Sequence, residues 1–299
     1  MLLSDRLAGA TPVLIDGGLS TALEELGHDL SDSLWSARLL ADDPDGLVEA
    51  HRAFVEAGAE VLITASYQAS IPGLMAQGCS TEEAETLIRL STDLARRAVG
   101  GRALVAASVG PYGAYLADGS EYTGDYRMSV TELTAWHARR FEVLVESGPD
   151  LLAIETIPGV DEARALAPLL AGSDVEAWVS FTCGPEGLTR TGEDLAAAVA
   201  VVSNLEPVVA VGINCTHPDD VDAALLRLRA GTDLPVVLYP NLGRAWDSVA
   251  RRWTGDGSTW VDSGAVERWL QAGVRVIGGC CGTAPADIAR LRRHLHRSA

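Results

Sequence analysis

Eight short runs of apolar, largely β-branched residues recur along the chain, and longer amphipathic stretches separate them. The runs are PVLIDGG at 12–18, EVLITAS at 60–66, ALVAASVG at 103–110, LLAIETI at 151–157, VEAWVSFTC at 175–183, PVVAVGINC at 207–215, PVVLYPN at 235–241 and VRVIGGCCG at 274–282. Strands with one wet face alternate apolar and polar residues, whereas most of these runs are apolar almost throughout, as parallel strands buried on both faces are. The stretches between them, among them STEEAETLIRLSTDLARR, SVTELTAWHARRFEVLVESG, TGEDLAAAVAVVSNL and HPDDVDAALLRLRAG, carry helix-start signals. Eight such units within 299 residues predict an α/β fold of the (β/α)8 TIM type, built as a single domain over 1–299. A doubly wound sheet is the alternative. It would want a glycine-rich phosphate turn after an early strand, and no G-x-G-x-x-G occurs in the chain.

Composition narrows the chemistry. The net charge of −18 argues against nucleic-acid partners, and no apolar run approaches the length of a membrane span. Five cysteines, an odd number, without a signal-peptide pattern lead us to expect a reducing compartment, the cytoplasm. All 23 basic residues are arginine, which excludes Schiff-base aldolases, PLP enzymes and P-loop NTPases, since each needs a lysine. No heptad pattern or exposed apolar stripe sets an oligomeric state.

Three cysteines stand where a barrel places its catalytic groups. Cys215 closes the sixth run in GINCTHP, and the adjacent Cys280 and Cys281 close the eighth in IGGCCGT. Each sits at a predicted strand tip entering a glycine-rich turn, the face of a barrel that carries active sites. Neighbouring residues on a regular strand point to opposite faces, so Cys280 and Cys281 can address one ion only where the strand gives way to a turn, which Gly278, Gly279 and Gly282 permit. Soft thiolates suit Zn2+, and three of them leave a tetrahedral ion one position for substrate. The competing readings are a vicinal disulfide at 280–281 and, for Cys215 alone, a small buried apolar residue. Cys79, beside a helix start, reads as structural, and Cys183 as a bystander near the site. His217 in the CTH triplet reads as the start of the next helix, while His51 and His137 fall in helical patterns.

The loops after the early strands are long and aromatic. About forty residues, including DLSDSLWSARLL, separate the first two runs, and GPYGAYLADGSEYTGDY follows the third with Tyr112, Tyr115, Tyr122 and Tyr126. Long βα loops build specificity on a barrel's upper face, and aromatic faces attract methylated cations. A small core belonging to the loop itself is the equal alternative.

The segments DGGLSTALEELG, TASYQAS, SVGPYGAYLADGSEYTGDY, LLAIETIP, GINC, LYPN and GGCCGT resemble, in order and spacing, the homocysteine S-methyltransferases, and their wording is most similar to the S-methylmethionine-dependent branch. The resemblance runs from about Pro12 to His294. It implies a zinc barrel that moves a methyl group from a sulfonium donor, S-methylmethionine or S-adenosylmethionine, to the thiol of homocysteine, making methionine. It implies Cys215, Cys280 and Cys281 as zinc ligands. It further implies Glu155 and the Asp16 region for the homocysteine ammonium, backbone donors near Gly17 and Thr64 for its carboxylate, and Trp35 and Tyr67 beside the donor. Asn214, next to Cys215, is expected to orient a loop or the substrate. One departure is Leu242, since the branch usually shows YPNSG where this chain has YPNLG. Betaine as donor, a zinc hydrolase on the same barrel and a non-catalytic zinc or thiol-binding protein remain the alternatives.

Overall fold

The computed structural model describes residues 2–30, 35–243, 245–247, 252–254 and 260–297. Each of the eight apolar runs contains a strand: β1 (Val13–Leu14), β2 (Val61–Ile63), β3 (Leu104–Val109), β4 (Leu151–Ile157), β5 (Ala177–Phe181), β6 (Val208–Asn214), β7 (Val236–Tyr239) and β8 (Val274–Ile277). All pair in parallel, in the order β1, β8, β7, β6, β5, β4, β3, β2. A single bridge from Ile15 to Val61 brings the two ends of that sheet together, so the strands encircle a common axis as a (β/α)8 barrel.

Two apolar cores follow from this closure. Between strands and helices lies the larger one, which is why the strands have no polar face. Inside the barrel a smaller set of Val13, Ile15, Val61, Val237 and Val276 packs around Trp178 and Tyr239. The small side chains of Ala106, Ala153 and Ala210 leave the volume that the indole fills. Trp178 donates its indole N–H to the Tyr239 hydroxyl at 3.2 Å, so neither polar group is buried without a partner.

The helices begin where the polar signals place them. Ser80 and Ser129 each form a reciprocal capping box, with Glu83 and Glu132, at the starts of helices Thr81–Val99 and Val130–Glu146. His217 caps helix Pro218–Gly231 by accepting from the Asp219 N–H. The forty-residue insertion after β1 holds a short helix, Leu19–Glu25, a 3-10 turn at Trp35–Arg38, and helices Leu39–Asp42 and Pro44–Ala57. Among the described residues no helix is long and apolar enough to cross a membrane.

Candidate active site

Strand tips bring the three cysteines together from distant parts of the chain. The Cys215 sulfur lies 2.9 Å from that of Cys280 and 3.6 Å from that of Cys281, and the latter two are 3.9 Å apart. All five cysteines are free thiols. Cys215 occupies the left-handed region at φ +48°, an unusual conformation for a residue with a Cβ, and it turns the chain sharply off β6. The Cys280–Cys281 turn is fixed by close backbone approach: a Cβ on Gly278 would stand 2.4 Å from Ile15 Cγ1, and one on Gly279 2.2 Å from Thr283 Cγ2. The YPNLG segment anchors this turn through its backbone. Cys280 N–H donates to the Pro240 carbonyl at 2.9 Å, and Leu242 N–H donates to that of Cys281 at 2.9 Å. Leu242 thus acts here through its amide, with its side chain beside Gly282.

The donor set asks for a cation. Hydrogen bonds from its two neighbours pull the Cys215 thiol well below its ordinary range, while those same contacts and burial push Cys280 and Cys281 well above it. One thiolate can be stabilised by two S–H groups, but three thiolates within contact can all ionise only around a positive ion. Their sulfurs lie within 4.8 Å of one another, and among the described residues no histidine or carboxylate joins them. Three soft ligands without a fourth fit zinc with a substrate-accessible position.

The sulfurs open into a cavity lined also by Gly17, Thr64, Tyr67, Glu155 and Tyr239. Glu155, near the end of β4, is held at both oxygens: Ser108 Oγ donates to Oε1, and the Tyr239 hydroxyl donates to Oε2 at 3.1 Å. Burial nevertheless pushes its carboxyl up to about 7. Asp16, buried just before Gly17, is not among the residues lining the cavity. Its Oδ2 accepts from the Ile63 N–H at 2.8 Å, Oδ1 is buried without a partner among the described residues, and burial raises its carboxyl well above the usual range. Gly17 allows the turn after β1 to pass against Phe54 and the Thr283 carbonyl, which a Cβ would meet at 2.9 and 2.6 Å. The Thr64 N–H is already given to the Ala106 carbonyl and that of Gly18 to Thr283, so carboxylate donors in this region narrow to their neighbours.

Other expectations divide. Asn214 is fully buried and does not line the cavity; its carboxamide holds Thr156 and Ser180 instead. Tyr67 lines the cavity with its ring packed against Gly110. The side chain of Trp35 lies outside the described residues. Among the loop tyrosines, Tyr112, Tyr115 and Tyr126 cluster with Trp136 as a local core, while Tyr122 reaches the site, its hydroxyl 3.6 Å from the Cys215 sulfur. Cys183 is buried outside the sulfur group, its thiol pushed up to about 12 by burial.

Four contributors escaped the sequence reading. Arg140 is almost fully buried on helix Val130–Glu146 and donates to the carbonyls of Gly110, Ser66 and Tyr67 at 3.0, 2.7 and 2.8 Å, fixing the loop that presents Tyr67. Its place in the helix's inward series Leu133, His137, Arg140, Phe141 and Leu144 was a usable signal. Ser108 and Ser180, isolated polar letters in apolar strands, mark the network around Glu155 and Asn214. Glu121, on the cavity wall, carried no periodic signal.

Comparison with known proteins places these features in a family context. The family model for homocysteine S-methyltransferase matches residues 13–295. A homocysteine S-methyltransferase of Escherichia coli K12 is 45% identical over 291 residues, covering 94% of each chain. Homocysteine S-methyltransferase 1 of Zea mays is 42% identical over 303 residues, again covering 94% of each. Among solved structures, the metallated form of the homocysteine methyltransferase MmuM from Escherichia coli superposes with a TM-score of 0.85 at 43% identity, covering 96% of this chain and 98% of that one.

Proposed function

The chain belongs to the homocysteine S-methyltransferase family, and we propose that, as one barrel domain over 1–299, it uses zinc held by Cys215, Cys280 and Cys281 to methylate homocysteine from S-methylmethionine. Methyl transfer to homocysteine makes the zinc-hydrolase and non-catalytic readings unnecessary. The observation that carries the proposal is the shared cavity, where three sulfurs, the Glu155 carboxylate and the Tyr67 ring face one space. The metallated form of the Escherichia coli relative supports a metal on such a site.

A thiol of ordinary pKa, about 8.5, is only a few per cent ionised at pH 7, so an unaided homocysteine sulfur would be a poor nucleophile. When bound, zinc would supply the positive charge that keeps that sulfur deprotonated. Glu155 takes the substrate ammonium, and the amides around Gly17 and Thr64 take its carboxylate. These contacts orient the sulfur toward the donor. The donor's sulfonium rests against aromatic faces, Tyr67 and by family position Trp35, in the same cavity. The methyl–sulfonium bond breaks as the new carbon–sulfur bond forms, leaving a neutral thioether, so no side chain has to accept or donate a proton. Opposite charges disappear in this step, and a desolvated site favours it over bulk water. The thiols must stay reduced, which assigns the enzyme to a reducing compartment, the cytoplasm.

A donor panel tests the proposal. Reduced, zinc-loaded protein with homocysteine should form methionine from S-methylmethionine faster than from S-adenosylmethionine or betaine. Methionine from betaine alone would overturn the donor assignment.

A further inference from the structure

Glu121 is a second carboxylate beside Glu155 on the cavity wall. It belongs to the 3-10 turn Ser120–Tyr122 in the loop after β3, is 3% exposed, and lines the same cavity as the three sulfurs. Its position is built in: Gly113 lets the backbone of the turn pack so closely that a Cβ there would stand 2.3 Å from the Glu121 amide nitrogen. Its Oε2 is buried with no partner among the described residues, whereas both oxygens of Glu155 accept hydrogen bonds. Nor does its carboxylate join the sulfur cluster. Among the described residues no arginine lines the cavity, and the chain contains no lysine, so the described lining leaves the cation for this buried carboxylate to a ligand. Burial pushes the carboxyl up to about 7, and a cation alongside restores the ionised form.

Two positive groups enter on S-methylmethionine, the reacting sulfonium and an α-ammonium. A carboxylate against the sulfonium would stabilise the charge that the reaction removes, and so would raise the barrier. Against the ammonium it binds ground state and transition state alike. Homocysteine brings one ammonium, which Glu155 receives, and the second carboxylate fits the second ammonium. We propose that Glu121 binds the α-ammonium of the methyl donor and thereby selects amino-acid sulfonium donors over betaine, whose only cation is the nitrogen that reacts. This rests on the sulfonium-donor reading above.

The test compares wild type with Glu121→Gln as zinc-loaded enzymes, first confirming equal zinc content and thermal melting. With S-methylmethionine, the variant's donor KM should rise at least tenfold, with kcat and the homocysteine KM within about threefold of wild type. Dimethylsulfoniopropionate has the sulfonium and carboxylate but no amine, and its inhibition constant against S-methylmethionine should not change. Glu121→Asp, which keeps the charge, should recover most of the donor affinity, and supplies the comparison if the glutamine variant does not fold. An unchanged donor KM in Glu121→Gln, an equal loss for both sulfonium compounds, a rise in homocysteine KM instead, or an aspartate variant as impaired as glutamine would each overturn the assignment. Wild-type enzyme that used betaine and neither amino-acid sulfonium would show, before any variant is compared, that the donor reading itself had failed, and this assignment with it.

Discussion

The carboxamide of Asn214 grips Thr156 at two points: Oδ1 accepts from the Thr156 N–H at 2.8 Å, and Nδ2 donates to Thr156 Oγ1 at 2.8 Å. Thr156 stands at φ +61°, where a β-branched residue is strained by roughly 1–3 kcal/mol, and it is the residue after Glu155. Asn214 immediately precedes Cys215. The clamp therefore ties the carboxylate proposed to hold the ammonium to the first of the three sulfurs, across the tips of β4 and β6. Asn214→Ala should raise the homocysteine KM at least tenfold and, by orphaning the buried Thr156 N–H, cost about 1–3 kcal/mol of stability. Steady-state kinetics and denaturant melts check both. An unchanged homocysteine KM would reduce Asn214 to a packing residue.

Oxidation should follow the sulfur positions rather than chain adjacency. Cys280 and Cys281 are neighbours in sequence, and adjacency alone suggests that they would join once zinc is removed. Their sulfurs are nevertheless 3.9 Å apart, against 2.9 Å between Cys215 and Cys280. Mild oxidation of the metal-free protein should therefore link Cys215 to Cys280 first, with activity restored by thiol reductant plus zinc. Peptide mass mapping reads the pairing. A Cys280–Cys281 bond as the first product would contradict it.

Acid should weaken the fold through His51. This residue is fully buried on helix Pro44–Ala57, neither ring nitrogen has a partner among the described residues, and desolvation lowers its pKa to about 4. The unfolded chain takes up a proton near pH 6.5 that the folded one resists, so the neutral ring's stability is lost as pH falls from about 6.5 toward 4, worth about 3 kcal/mol when complete. Glu121 and Glu155, pushed up to about 7, act oppositely, costing stability as pH rises toward 7. The comparison isolates the histidine: between pH 7 and pH 5, His51→Leu should lose about 2 kcal/mol less stability than wild type. Parallel losses would show that His51 is not the acid-sensitive group.

How legible all this was depended on what kind of constraint each residue obeys. The barrel could be read because strands buried on both faces admit almost nothing polar, which leaves eight unmistakable runs. Cys215, Cys280 and Cys281 were legible because a rare residue type recurs at strand ends, where a side chain faces the site whatever the helices do. Glu121 and the separation of Tyr122 from Tyr112, Tyr115 and Tyr126 were not, because a loop has no period and its fold alone decides which side chain turns inward. Arg140 sits beside Arg139, and only the rotation of the helix sends one to the Tyr67 carbonyl and the other to the surface carboxylates of Glu85 and Glu142. Asn214 was expected to orient its surroundings, but its partner on β4 is set by strand register, which no local pattern encodes.

The central claim is that three cysteines hold a zinc ion with room for the substrate's sulfur. X-ray absorption at the zinc edge of the reduced protein, recorded before and after adding homocysteine, tests it most directly. The account predicts one zinc per chain with three sulfur ligands, rising to four when homocysteine binds. Four protein ligands from the outset, or a zinc coordination that homocysteine leaves unchanged, would contradict it.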